Sequence, residues 1–120
     1  MLRISFAVLL AVVPLISFAD IAGRINVIDA DTFDVGTTRV RLFGVDAPET
    51  DQLCLTEQGV SWPCGEWVTK QAKTLYHGRR AVCEKLEMDR YNRVVARCRV
   101  DGADIGQELV VSGLAFAYRK

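Results

Sequence analysis

The sequence predicts a small α+β fold, a five-stranded Greek-key β-barrel with helices. Three observations predict it. Segments rich in branched and aromatic residues fill the start of the domain, one amphipathic segment interrupts them, and two more strand-like segments follow around a polar turn. The chain has 120 residues, half of them hydrophobic, which suits one domain with a single core.

The first nineteen residues are not expected to belong to this domain. Arg3 gives a short positive start, residues 4–16 are almost wholly apolar, and small residues around Ala19 suit cleavage by a signal peptidase. The apolar run is short for a membrane-spanning helix. We therefore expect a signal peptide over residues 1–19, a mature domain over 20–120, and a secreted or periplasmic protein without a membrane attachment after cleavage.

Three strands are expected first, as a meander. Residues 21–28 form the first strand, residues 32–35 alternate with period two, and residues 39–45 follow a tight turn at 36–38. In this third strand apolar side chains occupy both faces, as in a strand buried on two sides. Pro48 then ends the ladder.

The rest of the chain supplies a loop, two helices and two strands. A surface loop is expected over residues 50–65, and a helix over Glu66 to His77 has its apolar face at Val68, Ala72, Leu75 and Tyr76. Gly78 suits the end of this helix, and His77 beside it is expected to be structural. The remaining elements are strands Arg80–Leu86 and Val94–Val100, a helix Ile105–Ser112 capped by Gly113, and an apolar tail Leu114–Tyr118. Five strands and a helix indicate a barrel of the OB type.

Four cysteines in a small exported domain indicate two disulfides. The spacing lacks the paired CxxC motifs of zinc sites. Bridging Cys54 to Cys64 would close the surface loop, and folding the last two long strands into a hairpin would place Cys83 opposite Cys98. We therefore expect the pairs Cys54–Cys64 and Cys83–Cys98.

The charge balance excludes one class of function. With 15 basic and 15 acidic residues, the chain is not expected to hold nucleic acid by bulk electrostatics. An enzyme that grips a single phosphate locally remains compatible with this balance.

Arg41 is a charged residue within an apolar run. A buried arginine needs an anionic partner. Two interpretations are open from this segment alone. One is a structural ion pair with Asp46 or Glu49, and the other is a phosphate site whose bound anion pairs with the arginine.

The order of the other ionisable residues favours phosphate chemistry. Ca²⁺ takes carboxylate and backbone oxygens, so Asp31, Asp46 and a nearby carbonyl could form one site. Arg41 and Arg93 offer planar forks that match a phosphodiester and its transition state. Glu49 could orient or deprotonate a water. The arginine's counter-ion is then expected to be the substrate rather than a neighbouring acid.

Four segments resemble the staphylococcal nuclease-like (thermonuclease) family, in the order in which that family has them. They cover nearly all of the expected mature domain, and VRLxGVDAPE is the most specific of them. The segments are DADTFDV (residues 29–35), VRLFGVDAPET (40–50), DRYNRVVA (89–96) and DIGQELVVSGLAFAY (104–118).

The resemblance implies an OB-fold barrel that hydrolyses DNA and RNA with one Ca²⁺. It implies that Asp31 and Asp46 are carboxylate ligands of the metal and that Ala47 supplies a backbone carbonyl. The positions that match the family's catalytic residues are Arg41, Glu49 and Arg93. The positions that resemble residues near the nucleotide are Arg90, Tyr91 and Tyr118. We expect DNA or RNA as the substrate partner and a monomeric protein.

Three positions depart from the family's pattern. Ala30 replaces a glycine, which matters only if that bend needs a positive φ. Asn92 also replaces a glycine, and asparagine tolerates the left-handed conformation well. The family continues with a further segment and a C-terminal helix, whereas the sequence ends at Lys120, so we expect that helix to be missing.

Two alternatives to a nuclease stay open. One is a nuclease-like barrel that binds nucleic acid without cleaving it, for which the expected absence of the C-terminal helix argues. The other is an exported protein of a cell-surface polysaccharide pathway whose carboxylates are structural.

Overall fold

The computed structural model describes residues 1–13 and 21–118. Residues 1–13 are exposed and have no regular secondary structure. The expected cleavage point after Ala19 lies outside the described residues. Within the two described ranges, no helix is long and apolar enough to cross a membrane.

The expected meander forms the first half of the barrel. Strands β1 (Ile21–Asp29), β2 (Thr32–Val35) and β3 (Thr38–Leu42) pair antiparallel in that order. The prediction that the third strand continues to Val45 was wrong. The chain turns at Gly44, whose φ of +77° suits glycine, and resumes as the short strand β4 (Val45–Asp46).

The expectation that β3 is buried on both sides was also wrong. Val40 and Leu42 are buried, whereas Arg39 is exposed and Arg41 is partly exposed. This strand therefore has the alternation of a sheet with one face on the core. The face opposite the core is the one that carries the two arginines.

The expected loop over residues 50–65 contains a small hairpin. Strands β5 (Cys54–Leu55) and β6 (Ser61–Trp62) pair antiparallel, and helix α1 (Cys64–Tyr76) begins directly after Pro63. The bridge Cys54–Cys64 is present, as predicted.

Helix α1 begins two residues before the predicted start and ends one residue before His77, which is its C-cap. Val68, Ala72 and Tyr76 are buried, as predicted, and Thr69 shares their face. Leu75 was expected in the same stripe but is 41% exposed.

The barrel closes through its last two long strands. Strands β7 (Arg80–Met88) and β8 (Val94–Val100) form an antiparallel hairpin, β7 pairs with β1, and β8 pairs in parallel with β3. The result is a closed, mixed barrel of five strands, which confirms the predicted OB-type fold. Cys83 and Cys98 are register partners and form the second predicted disulfide.

The final elements pack against this barrel. Strand β9 (Ala103–Asp104) leads into helix α2 (Ile105–Val111), where the side chain of Asp104 accepts the amide hydrogen of Gln107 at 2.9 Å. In the apolar tail, Leu114 and Ala115 are buried. The tail ends in strand β10 (Phe116–Ala117), which pairs with β4 and brings the end of the described chain beside Asp46.

Candidate active site

Asp31 lies in the turn between β1 and β2, with only 6% of its surface exposed. Its Oδ2 accepts the backbone amide of Ala47 at 2.8 Å, and its Oδ1 accepts the hydroxyl of Thr32 at 3.1 Å. Burial raises the pKa of Asp31, although the Ala47 hydrogen bond and the positive charge of Arg41 act in the opposite direction. A carboxylate in this position is stabilised by any cation that reaches it.

Arg41 lies between two carboxylates. Its Nη2 is 3.5 Å from Oδ2 of Asp31 and 3.4 Å from Oδ1 of Asp46. Its Nη1 donates to the carbonyls of Leu42, at 3.1 Å, and Val45, at 2.7 Å. Since β3, the Gly44 turn and β4 fold around the guanidinium, the tertiary structure sets its orientation.

The structure identifies the acids that pair with this arginine. Among the described residues, its ion-pair partners are Asp46, as one alternative had it, and Asp31 in place of Glu49. The expectation that a bound substrate is the counter-ion of this arginine stays a prediction. A phosphate would have to share the guanidinium with these carboxylates.

Asp31 and Asp46 converge on one point, because both lie within 3.5 Å of the same arginine nitrogen. The side chain of Asp46 is 63% exposed, whereas those of Asp31 and Arg41 are 8% and 20% exposed, so solvent reaches this point from the Asp46 side. Two carboxylates form an oxygen donor set that suits a hard divalent cation. No group of three or more His, Cys, Asp or Glu side chains in the described ranges could hold a metal, so a cation bound here would need backbone, water or substrate oxygens as further ligands.

Glu49 is exposed on the loop that follows β4. Thr50, the next residue, fixes this loop to the barrel: its amide and its hydroxyl donate to Oδ1 of Asp29 at 2.8 and 2.6 Å. An exposed carboxylate on an anchored backbone is accessible to water and to a substrate. Ala47, two residues before Glu49, is 7% exposed, and its amide donates a hydrogen bond to Asp31.

Arg93 is held by the turn between β7 and β8. Asp89 Oδ2 accepts from its Nε at 2.7 Å, and Asp89 Oδ1 accepts the amides of Tyr91 and Arg93 at 2.9 Å each. Burial raises the pKa of Asp89, but these hydrogen bonds more than offset it and leave that pKa below its usual range. Asn92 has a φ of +62°, so this turn does use the left-handed conformation.

The turn leads into β8, the strand that pairs with the strand of Arg41. Val95 is the register partner of Arg41 in the parallel β3–β8 pair, and Arg93 precedes Val95 by two residues. Residues two apart in an extended chain point to the same side, so Arg93 lies on the side of the barrel that carries Arg41. The direct side-chain contacts of Arg93 in the described chain, however, are with Asp89 and Tyr91.

The three residues expected near a nucleotide occupy two places. The guanidinium groups of Arg90 and Arg93 lie 5.0 and 5.3 Å from the centre of the exposed Tyr91 ring. Tyr118 is about half exposed, and its amide donates to the carbonyl of Gly44 at 2.7 Å. Tyr118 is thereby fixed close to β4 and Asp46, whereas Arg90 and Tyr91 form an exposed stack on the hairpin.

Several residues that the structure places here were not predicted from the sequence to have a role in the site. Thr32 bonds to Asp31, Asp29 and Thr50 fix the Glu49 loop, and Asp89 holds Arg93. An aspartate two residues before a turn amide is a recognisable signal for Asp89. Ala30 does not have a positive φ in the described chain, so its replacement of a glycine is harmless.

The chain is similar to known proteins over most of its length. The family model described as staphylococcal nuclease homologue matches residues 39–120. The succinoglycan biosynthesis protein ExoI of Rhizobium meliloti is 42% identical over 97 residues, which are 79% of this chain and 51% of that protein. The probable endonuclease LCL3 of Komagataella phaffii is 33% identical over 86 residues, which are 68% of this chain and 36% of that protein.

A second probable endonuclease LCL3, from Phaeosphaeria nodorum, is 35% identical over 83 residues, covering 66% of this chain and 27% of that protein. The chain thus spans about half, or less, of the length of the curated relatives that it matches.

Proposed function

Since the chain belongs to the staphylococcal nuclease homologue family, we propose that it is a calcium-dependent nuclease that hydrolyses phosphodiester bonds of DNA, RNA or both. The observation that carries this proposal is the convergence of Asp31, Arg41 and Asp46 on one solvent-accessible point, with Glu49 three residues further along the chain. Relatives named as probable endonucleases support the reaction class.

Asp31 and Asp46 would hold the Ca²⁺, together with the backbone carbonyl of Ala47. When bound, calcium supplies a positive charge that polarises the phosphate and offsets its negative charge. Arg41 already lies beside both carboxylates, so the residues that hold the metal and the residue that binds the phosphate share one location.

The remaining chemistry belongs to two arginines and a glutamate. Arg41 and Arg93 would bind the phosphate oxygens and stabilise the charge that develops on them in the transition state. Glu49, which is exposed, would orient the attacking water or remove its proton. Arg90, Tyr91 and Tyr118 would contact the nucleotide.

Export is part of the proposal. Two disulfides in a domain of this size are typical of oxidising compartments, and the apolar start of the chain is typical of a signal peptide. The protein would therefore meet calcium at extracellular or periplasmic concentrations.

The deciding experiment is cleavage of single-stranded DNA and of RNA by the oxidised protein, with Ca²⁺ and with EDTA. We expect cleavage only with Ca²⁺, and loss of most turnover in Glu49→Gln. Glu57→Gln, which changes an exposed glutamate of the β5–β6 hairpin, is the matched control and should remain active. Equal cleavage with EDTA would refute the metal requirement, and binding without cleavage would indicate a binding module instead.

A second candidate rests on the relative named for succinoglycan biosynthesis. In that case the protein is exported and serves a polysaccharide pathway, and its carboxylates are structural. This candidate predicts that Ca²⁺ and an oligonucleotide together leave the melting temperature unchanged, whereas a nuclease should be stabilised by its ligands.

A further inference from the structure

The backbone of Glu49 is connected to the start of α1 by a chain of hydrogen bonds. The carbonyl of Glu49 accepts the amide of Gln52 at 2.9 Å, and the carbonyl of Gln52 accepts the amide of Gly65 at 3.0 Å. The side chain of Gln52 also accepts the amide of Glu49 at 3.3 Å. Both peptide groups of an exposed loop residue are thus fixed by a network that ends on the helix.

Gly65 lets the helix approach this loop more closely than any other residue would. A Cβ atom built on Gly65 would lie 1.7 Å from the carbonyl oxygen of Glu49 and 3.0 Å from the amide nitrogen of Gln52. Both obstacles are backbone atoms, so a rotamer change cannot remove the clash. A larger residue at position 65 must therefore displace the Glu49 backbone or the helix.

The same helix holds the residue after Glu49. The hydroxyl of Thr50 lies 3.0 Å from that of Thr69 in the second turn of α1 and 2.6 Å from Oδ1 of Asp29 at the end of β1. Thr50 therefore joins the loop, the helix and the barrel at one point.

The β5–β6 hairpin closes this arrangement. Cys64, the first residue of α1, is bonded to Cys54 of the hairpin, which comes five residues after Glu49. The rings of Trp62 on β6 and Trp67 on α1 also pack edge to face, with 6.4 Å between their centres. Two contacts, the disulfide and the tryptophan pair, hold the hairpin on the helix, and the hairpin directly follows the Glu49 loop in the chain.

We propose that Gly65 and the Cys54–Cys64 disulfide are positioning elements that set the location of Glu49 for the reaction. The proposal rests on the proposed function, in which Glu49 acts on the attacking water. Because the Glu49 carboxylate is exposed, burial does not fix it, and its location depends on the backbone that α1 and the disulfide hold. A displacement of about 1 Å at a catalytic group can reduce the rate by roughly 100-fold.

Two pairs of variants test this proposal in the full-length protein. Gly65→Ala is compared with Gly106→Ala, since each glycine is the second residue of its helix, but the nearest atoms to a Cβ at Gly106 are side-chain atoms at 3.3 Å. The double substitution of Cys54 and Cys64 by serine is compared with that of Cys83 and Cys98, the core disulfide.

We expect kcat to fall by about 10- to 100-fold in Gly65→Ala and in the Cys54/Cys64 variant, with KM within about twofold of the parent. Folded Gly106→Ala and the folded Cys83/Cys98 variant should keep the parent kcat. Hydrogen exchange provides a readout that needs no activity: the amides of Gln52 and Gly65 should lose protection in the first two proteins and keep it in the controls.

The outcomes separate this proposal from the proposed function. If the parent protein cleaves nucleic acid and the Cys54/Cys64 variant keeps its kcat and its Gln52 and Gly65 protection, the positioning role is refuted. If the parent protein is inactive with Ca²⁺, the proposed function fails, and the exchange measurement still decides whether the disulfide and Gly65 hold the Glu49 backbone.

Discussion

Arg41 and Arg93, the two arginines proposed to bind phosphate, are held in opposite ways. Arg41 is bound by two carbonyls of the β3–β4 connection and by carboxylates from the β1–β2 turn and from β4. Arg93 is bound by an aspartate four residues earlier in its own turn and by the neighbouring Tyr91 ring. The first location depends on the whole barrel, whereas the second depends on a few consecutive residues.

Because the two arginines are held differently, their effects on folding stability are expected to differ. Removing Arg41 leaves a buried carboxylate without its cation, whereas removing Arg93 leaves an aspartate whose amide hydrogen bonds remain. The two arginines are therefore expected to contribute similarly to catalysis and differently to folding.

The largest expected effect is on activity, in Arg41→Gln and Arg93→Gln. Each should lower kcat by about 100- to 1,000-fold, since each removes charge stabilisation from the transition state. Arg41→Gln should also lower the free energy of unfolding by about 2–3 kcal/mol, and Arg93→Gln by less than about 1 kcal/mol. Turnover assays and urea unfolding of both variants check this, and equal destabilisation would contradict the contrast.

A second effect concerns the cation that we expect between the carboxylates. Because burial raises the pKa of Asp31, ionisation of this group in the folded protein lowers stability as the pH rises through that pKa. Asp31→Asn should therefore be at least as stable as the parent at neutral pH in EDTA.

Calcium should then raise the melting temperature of the parent by several degrees and leave that of Asp31→Asn unchanged. Asp34→Asn is the control, because the ion-pair partner of Asp34 is Arg39 on the neighbouring strand. A calcium-induced shift in Asp31→Asn equal to that of the parent would place the cation elsewhere. Thermal unfolding with and without Ca²⁺ measures all three proteins.

The two arginines also differ in how much of their surroundings the sequence could predict. The Arg93 turn is local, so the turn and the tolerance of Asn92 for the left-handed conformation could be predicted from consecutive residues, although the role of Asp89 was missed. The barrel and both disulfides were also predicted, because strand periodicity and the hairpin register follow from short segments. Of the two acids that pair with Arg41, Asp46 was one of the predicted alternatives, whereas Asp31 was missed. Asp31 lies in the β1–β2 turn, and only the β2–β3 register brings it close.

The end of β3 and the contact at Gly65 were also missed. The residues around Gly44 have strand propensity, so only its positive φ reveals the turn. Gly65 was placed in a loop, because its contact with the Glu49 carbonyl depends on how α1 packs against the barrel. Contacts between distant elements were therefore the part of the site that the periodicity of the sequence could not predict.

A third, smaller effect concerns Asp89, which should act on catalysis only through Arg93. Asp89→Asn removes the charge that pairs with Arg93 Nε, and kcat should fall by about tenfold with little change in KM. Asp101→Asn provides a matched control, since Asp101 lies in the turn between β8 and β9 and pairs with Arg79. A kcat equal to that of the parent would show that Arg93 needs no local partner.

Asp89 also predicts a pH dependence. Because its pKa in the folded protein is below its usual range, its contribution to stability is present above the unfolded value, about 3.9, and is lost as the pH falls through the folded value. Urea unfolding of the parent and of Asp89→Asn should therefore converge as the pH is lowered below about 4. A difference between them that persists at the lowest pH would contradict this assignment.

The smallest effect is expected at Asn92, whose φ of +62° shapes the turn before Arg93. Asn92→Ala should lower the free energy of unfolding by about 1 kcal/mol, because a Cβ-bearing residue without asparagine's local hydrogen bonding resists the left-handed region. Asn92→Gly should be neutral or slightly stabilising, since glycine adopts this conformation without a steric cost. If the Arg93 turn is as independent of the barrel as its contacts indicate, both variants should leave the calcium-induced thermal shift unchanged. A loss of that shift in Asn92→Ala would mean that the turn and the carboxylate pair are coupled.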